Sequence, residues 1–213
     1  MADKLQQILN LVNEYVTERE EDKSWTPGKD WVSYSGPVFD HDEYMAAVEV
    51  LLSGWLIFGK NARDFEIQFP KHMGKMHGSL TNSGSSANLL MVAATKSRRF
   101  PKKLNDGDKI ITPVVCFPTT INPIIQNNLQ PVFVDVEMPS LNPDLDKVEA
   151  ALKADPDIKG IMFAHVLGNP PDMDRLMHLV EKYDLVFMED CCDALGSKYD
   201  GKKLVYLGRI PRY

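Results

Sequence analysis

The sequence contains no apolar segment of the length that a membrane span needs. A transmembrane helix requires about 20 consecutive apolar residues, and the longest apolar runs of this 213-residue chain are much shorter. The first residues, Met1 to Gln7, also lack the apolar core of a secretion signal. These absences predict a cytoplasmic protein that does not bind membranes.

Cysteines are few, and positive charge is not in excess. The three cysteines are Cys116, Cys191 and Cys192, an odd number with one adjacent pair, which fits neither a disulfide framework nor a zinc motif. We therefore expect reduced, buried thiols beside a strand end and no metal site. The net charge of −6, without a basic stripe, argues against nucleic-acid binding.

The hydrophobic pattern changes near residue 78. Before this point apolar residues have helical spacing. One face of the first helix has Leu5, Ile8, Leu9, Val12 and Val16, and the inward residues of the second are Met45, Val48, Leu51 and Leu52. After it, strands alternate with helices, which predicts a mostly parallel sheet covered by helices. The predicted helices are 2–20, 40–53, 62–73, 85–97, 119–127, 144–153 and 172–183, and the predicted strands are 109–113, 131–136, 159–165 and 185–190.

The segment 80–91, LTNSGSSANLLM, places a short polar loop directly before an apolar run of helical spacing that contains Ala87, Leu90, Met91 and Ala94. Ser85 or Ser86 is the expected N-cap, and Gly84 allows a tight turn and a close approach to a ligand. Free N–H groups, the helix dipole and hydroxyls together form a common phosphate site. A Ser-rich cap without any ligand is an equally good explanation of this segment alone.

A second candidate element is the apolar strand 185–190, which ends in Glu189 and Asp190. An acid at the carboxyl end of such a strand faces the crevice where open α/β sheets bind ligands. A phosphate site together with this acid suits a phosphorylated heterocycle whose ring nitrogen stays protonated, as in pyridoxal phosphate. Asp190 as a helix cap and Phe117 as a core residue remain the alternatives.

Four motifs occur in order: TNSGSSANLL, GDKIITPVVCFPTTINPIIQNNLQPVFVDVE, IMFAHVLGNPPDMDRL and VFMEDCCDALGSKYDGK. With them the chain strongly resembles the DegT/DnrJ/EryC1/StrS sugar aminotransferase family, and most of all its CDP-4-keto-6-deoxy-D-glucose 3-dehydrases of 3,6-dideoxyhexose and O-antigen biosynthesis. The resemblance implies the fold type I of PLP-dependent transferases. It predicts an N-terminal helical arm (1–78), an incomplete α/β large domain (79–203) and an atypical tail (204–213).

The resemblance also implies roles for five cofactor-binding residues. Gly84 and Ser85 would hold the phosphate of pyridoxal or pyridoxamine 5'-phosphate, and Phe117 would stack on the pyridine ring. Asp190 would pair with the ring nitrogen, and Asp193 would lie near the ring hydroxyl, as in the dehydrase branch. Asn88 and His165 are further ring-side or supporting candidates, although a core histidine is an equally good explanation of His165.

The family's catalytic residue, a Schiff-base lysine in aminotransferases and a histidine base in 3-dehydrases, is expected beyond Tyr213. Lys198, Lys202 and Lys203 lie too close to Asp190 and are expected to face solvent around Gly201. The cysteines of the dehydrase iron–sulfur cluster are also not found in this chain, so an inactive fragment is expected.

The resemblance implies a nucleotide-sugar substrate, a homodimer of the full-length protein and a partner reductase. Two other functions stay open at this point: a nucleotide-sugar aminotransferase, and a non-catalytic partner of a full-length homologue.

Overall fold

The computed structural model describes residues 2–21, 24–33 and 36–204. The chain divides into two compact units, one of residues 1–63 and one of residues 64–213. The first unit contains the helices α1 (Ala2–Glu21) and α2 (His41–Ser53), and α3 (Lys60–His72) crosses the boundary between the units. All of the described strands lie in the second unit.

Helix α2 begins where the sequence predicts a start. The Asp40 side chain accepts a hydrogen bond from the Asp42 N–H (2.8 Å), and the Glu43 side chain accepts one from the Asp40 N–H (2.8 Å). This reciprocal capping satisfies two N–H groups that a helix start leaves free. The helix ends at Gly54, whose φ of +71° favours glycine.

The first unit is less buried than the amphipathic patterns predict. Leu9 and Val16 of α1 are buried as expected, but Ile8 of the same predicted face is 41% exposed, and no described residue of α2 is buried. Leu51 is 62% exposed and Leu52 is 53% exposed. The prediction that they face inward was wrong, because the pattern marks an apolar face but does not supply a surface to cover it.

The second unit contains a parallel sheet, as predicted. Its strands are β1 (Lys109–Pro113), β2 (Gln130–Val134), β3 (Ile158–Ala164) and β4 (Val186–Asp190), in the order β2-β1-β3-β4. The helices are α4 (Gly84–Thr95), α5 (Pro118–Gln126), α6 (Leu145–Ala154) and α7 (Met173–Lys182). A short antiparallel hairpin, β5 (Lys198–Tyr199) and β6 (Lys202–Lys203), follows β4.

Helices cover both faces of the sheet. On one face, residues of α4 and α5 pack with alternate strand residues, and the main members are Val92, Ile124, Ile110, Met162, Val186 and Met188. On the other face, residues of α6 and α7 pack with the intervening strand residues, and the main members are Val148, Leu152, Leu176, Leu179, Ile111 and Phe163. Because strand side chains alternate between faces, neighbouring residues of one strand contribute to different cores.

The buried face of α4 differs from its apolar run. Asn88, Val92 and Thr95 are buried, whereas Ala87, Leu90 and Ala94 are exposed. The helix therefore turns two polar side chains inward. The described hydrogen bonds give the reason, since Asn88 has polar partners at the strand end.

Candidate functional site

The site is built around Asp190, the last residue of β4. Asp190 is 5% exposed, and it lies opposite Ala164 in the register of β3 and β4. The His165 N–H donates a hydrogen bond to the Asp190 carbonyl (3.1 Å), which extends the pairing of the two strands by one step. The carboxylate is thus fixed at the carboxyl end of the parallel sheet, where open α/β sheets bind ligands.

Three residues hold the Asp190 carboxylate by hydrogen bonds. The Asn88 amide Nδ2 (2.7 Å) and the Thr120 hydroxyl (3.0 Å) donate to its Oδ2 atom. The backbone N–H of Cys192 donates to its Oδ1 atom (3.1 Å). The donors come from α4, from α5 and from the turn after β4, so Asp190 links three parts of the second unit.

These donors keep Asp190 ionised. Burial raises the pKa of the Asp190 carboxyl, but hydrogen bonds from Asn88, Cys192 and Thr120 outweigh burial and hold the pKa below its ordinary value. All of these donors are neutral groups. The site therefore contains a buried negative charge without a cationic partner among its hydrogen-bond donors.

The N-cap of helix α4 lies two or three residues before the predicted cap. Ser83 is the N-cap, with an extended backbone and a hydroxyl that accepts from the Ser86 N–H (3.2 Å). The prediction of Ser85 or Ser86 as the cap was wrong, because both already belong to the first helical turn. In the part of the chain that the structure describes, the N–H groups of Gly84 and Ser85 have no hydrogen-bond acceptor.

Gly84 lies directly beside the turn that follows Asp190. A Cβ atom at Gly84 would come within 2.6 Å of the Cys192 sulfur, which is too close for any side chain. Since the Cys192 N–H also binds Asp190, one residue joins the helix start to the acid. The structure therefore brings Gly84 and Asp190 to the same end of the sheet.

Helix α5 starts beside the start of α4, at the same end of the sheet. Phe117 occupies its N-cap position before Pro118, and its side chain is 66% exposed. The Ser85 hydroxyl donates to the Thr119 hydroxyl (3.3 Å), and the Asn88 amide donates to the Thr119 carbonyl (3.1 Å). The starts of α4 and α5 therefore meet beside Asp190, with an exposed aromatic ring on the second of them.

Asp193 lies in the turn after β4 and is exposed. In the described part of the chain its carboxylate accepts no hydrogen bond from Gly84, Ser85, Phe117 or Asp190. Its charge is one of the causes that raise the pKa of the Cys192 thiol to about 11, after burial and the Asp190 carboxylate. Asp193 is thus near the strand end, but its side chain is outside the hydrogen-bond network of Asp190.

His165 is completely buried, and its ring contacts Glu189 rather than the Asp190 carboxylate. Its Nε2 atom lies 3.2 Å from a Glu189 carboxylate oxygen, and its ring packs edge-on against Phe163. Its Nδ1 atom is buried without a partner in the described residues. Lys75 is close enough for Glu189 to raise its pKa, although burial has the larger effect and lowers it overall.

The free thiols are less buried than the sequence predicts. Cys116 and Cys191 are half-buried, and Cys192 is exposed because it lies in the turn after the strand. Burial raises the pKa of Cys191 to about 12. Lys198 and Lys202 are exposed on the hairpin around Gly201, as predicted, but Lys203 is half-buried and donates to the His72 carbonyl (2.7 Å).

The residues at this end of the sheet fit a phosphorylated aromatic cation. An ionised acid whose described hydrogen-bond donors are all neutral suits a protonated ring nitrogen. Free N–H groups at a helix start suit a phosphate, and an exposed aromatic ring can cover a planar ligand. Sequence reasoning missed Thr119, Thr120 and Cys192 as parts of this arrangement. The position of both threonines just after Pro118, in a first helical turn, was the available signal.

Among the described residues, no helix is both long and apolar enough to cross a membrane.

Known proteins with similar sequences and structures were found. The chain is 41% identical to the lipopolysaccharide biosynthesis protein RfbH of Salmonella typhimurium, over 96% of this chain and 47% of RfbH. It is 41% identical to the dTDP-4-dehydro-2,6-dideoxy-D-glucose 3-dehydratase of Saccharopolyspora spinosa, over 95% of this chain and 43% of that enzyme. The chain thus spans under half the length of these two relatives.

The fold is also that of solved enzymes. A GDP-4-keto-6-deoxymannose-3-dehydratase, solved with a trapped PLP-glutamate geminal diamine, superposes with a TM-score of 0.75 at 32% identity, over 81% of this chain and 44% of that one. The fold is therefore the predicted one of PLP-dependent aminotransferases and dehydratases. The sequence family described as DegT/DnrJ/EryC1/StrS aminotransferases matches residues 37–212. The chain belongs to the DegT/DnrJ/EryC1/StrS aminotransferase family.

Proposed function

We propose that this chain binds a vitamin B6 phosphate as part of a nucleotide-sugar 3-dehydratase that removes the C3 hydroxyl of a 4-keto-6-deoxyhexose. The observation that carries the proposal is Asp190, a buried, ionised carboxylate held only by neutral donors where α4 and α5 begin. The relatives support the reaction type, since two of those named above are 3-dehydratases of nucleotide-linked deoxy sugars.

The proposal gives each residue a role. Asp190 binds the protonated ring nitrogen, and the N–H groups of Gly84 and Ser85, with the Ser85 hydroxyl, bind the phosphate. Phe117 covers one face of the ring, and Asp193 lies on the side of the ring hydroxyl. When bound, the cofactor supplies an electron sink next to the sugar carbon that loses its proton.

The substrate, cofactor form and partners are finer proposals. We infer a CDP-linked 4-keto-6-deoxy sugar, used in 3,6-dideoxyhexose and O-antigen synthesis, and pyridoxamine 5'-phosphate as the working form. We also infer self-association and a reductase that regenerates the enzyme. The name of RfbH, a lipopolysaccharide biosynthesis protein, supports this pathway class.

Cofactor binding tests the central proposal. The chain is titrated with pyridoxamine 5'-phosphate and with pyridoxal 5'-phosphate, and binding is followed by absorbance and calorimetry. Asp190→Asn should weaken binding by about ten- to hundred-fold, because a hydrogen bond to a charged group contributes about 1.5–3 kcal/mol. Glu189→Gln is the matched control, since it removes the neighbouring charge, and it should leave binding within about two-fold of wild type, a change of under 0.5 kcal/mol.

Failure of the wild-type chain to bind either cofactor form would contradict the proposal. Equal weakening by the two substitutions would show a general charge effect rather than a site at Asp190. Both variants are checked by circular dichroism, so that loss of folding is not mistaken for loss of binding.

The family description favours a second candidate function, a nucleotide-sugar aminotransferase. Mass spectrometry separates the two, after a CDP-4-keto-6-deoxy sugar is incubated with cofactor, glutamate and a form of the protein that includes the catalytic lysine or histidine. Loss of water indicates the dehydratase, and replacement of the keto oxygen by an amino group indicates the aminotransferase. Size-exclusion chromatography with a full-length relative tests a third function, a non-catalytic partner, which predicts a mixed complex without turnover by the chain alone.

A further inference from the structure

The two oxygens of the Asp190 carboxylate have different surroundings. Oδ2 accepts two side-chain hydrogen bonds, from Asn88 (2.7 Å) and from Thr120 (3.0 Å). Oδ1 accepts from the backbone N–H of Cys192 (3.1 Å), and the Cys192 thiol is a further donor to the carboxylate. Since a carboxylate oxygen commonly accepts about two hydrogen bonds, the two buried side chains already fill Oδ2. The backbone donor to Oδ1 instead belongs to Cys192, in the exposed turn after β4.

Both donors to Oδ2 are fixed by burial. Thr120 is completely buried, and Asn88 is 5% exposed. The Asn88 Nδ2 group also donates to the Thr119 carbonyl (3.1 Å), so its two hydrogens are both used. This double donation determines the orientation of the amide, because its oxygen in that place would face a carboxylate and a carbonyl.

We propose that Asn88 and Thr120 are positioning residues that hold Asp190 through Oδ2, which leaves Oδ1 as the atom that accepts the ring N–H of the cofactor. This inference rests on the proposed function and deepens it at the level of single atoms. Neither residue touches the cofactor in this arrangement. Both act through Asp190, by fixing its orientation and by keeping it ionised.

Among the described residues, no titratable group competes for this role. In that part of the chain, the Asp190 charge raises the pKa of the thiols of Cys116, Cys191 and Cys192. Burial is the largest cause that raises the pKa of all three thiols, so they are neutral near pH 7. From the helices α4 and α5, the side chains that bind Asp190 are the neutral Asn88 and Thr120.

The test uses Thr120→Val, Thr120→Ser and Asn88→Ala in the whole chain. Valine keeps the shape of threonine without the hydroxyl, and serine keeps the hydroxyl. Thr95→Val is the matched control, since Thr95 is also buried but donates to the Val92 carbonyl of its own helix. Circular dichroism and thermal unfolding check the fold of each variant.

The first measurement needs no cofactor. Carbon NMR follows the titration of the Asp190 carboxyl, assigned with Asp190→Asn. Thr120→Val and Asn88→Ala should each raise the pH at which Asp190 titrates, whereas Thr120→Ser and Thr95→Val should leave it unchanged. An unchanged titration in a folded Thr120→Val or Asn88→Ala variant overturns the positioning role; if one variant does not fold, the other decides.

The second measurement uses pyridoxamine 5'-phosphate labelled with nitrogen-15 in the ring. Bound to the wild-type chain, the ring nitrogen should stay protonated to higher pH than in the free cofactor. Thr120→Val and Asn88→Ala should lower that pH and weaken binding by about three- to ten-fold, as expected for one neutral hydrogen bond.

The two failures are distinguishable. No binding by the wild-type chain contradicts the proposed function, while the carboxyl titration still decides the positioning role. Wild-type binding with unchanged ring protonation in both variants overturns the inference alone.

Discussion

Glu189 and Asp190 are adjacent acids at the end of one strand, yet their surroundings differ. Asp190 lies on the face covered by α4 and α5 and is held by neutral donors. Glu189 lies on the other face, beside the His165 ring and near Lys75. The alternation of a strand therefore separates two carboxylates that sequence alone presents as one pair.

The difference shows what makes an acid available to a ligand. Glu189 already has a basic ring at hydrogen-bond distance (3.2 Å) and an ammonium group nearby. Asp190 accepts hydrogen bonds from neutral groups, which stabilise its negative charge but do not neutralise it. A ligand that carries a positive charge therefore gains more from Asp190, which is why the proposed site lies on that face.

The largest effect on the free energy of unfolding is expected from substitutions in the two cores. The loss should be equal on the two faces of the parallel sheet. Ile124 lies in the core under α4 and α5, Leu176 lies in the core under α6 and α7, and both are completely buried. Ile124→Ala and Leu176→Ala should each lower the free energy of unfolding by about 2–5 kcal/mol. Urea unfolding measures both, with the half-exposed Leu90→Ala as the control, expected within about 0.5 kcal/mol of wild type.

A cost below about 1 kcal/mol for Ile124→Ala alone would mean that the face with the site is loosely packed. The two faces of the sheet would then differ in core packing as well as in the surroundings of their acids.

A smaller effect is expected at Gly84, which belongs to the face of Asp190. Gly84→Ala places a Cβ atom 2.6 Å from the Cys192 sulfur, so the helix start or the turn must shift. The free energy of unfolding should fall by about 1–3 kcal/mol. Gly36→Ala is the control, because nothing lies within 4 Å of a Cβ atom there.

The cause is checked by repeating Gly84→Ala in a Cys192→Ala chain. Removal of the sulfur should recover most of the lost stability. An equal loss in both chains would place the conflict elsewhere.

The smallest effect concerns pH. The folded-state pKa of Asp190 lies below its ordinary value of about 3.9, so its ionised form stabilises the fold above that pH. This stabilisation should be lost as the pH falls through the lowered pKa. The difference in unfolding free energy between wild type and Asp190→Asn should therefore be constant near neutral pH and shrink in acid. A difference that stays constant in acid would contradict the lowered pKa.

The elements of this fold were largely predictable, because their signals are local. Asp144 and Asp172 cap α6 and α7 where the sequence predicts helix starts, and the strand periods place β1 to β4 within one or two residues. The approximate position of the acid at the strand end also followed from the pattern.

The partners of the acid were not predictable in the same way. Asn88 and Asp190 are 102 residues apart in sequence, and an inward polar residue on an apolar helix is explained only by that contact. The prediction that apolar residues of α2 are buried was wrong for a related reason. An apolar helix face is buried only where another part of the protein covers it, and the local pattern does not show whether such a surface exists. Local chemistry thus predicts elements, while long-range contacts determine which side chains they bury.

The strict two-residue alternation of β4 has a consequence for insertions and deletions. Loss of one residue between Leu185 and Asp190, with the rest of the strand kept in place, would carry the acids across the sheet. The aspartate would then point at the helix layer of α6 and α7, and Glu189 would turn to the face covered by α4 and α5. Insertions or deletions of two residues in this strand are therefore expected to be tolerated better than those of one residue.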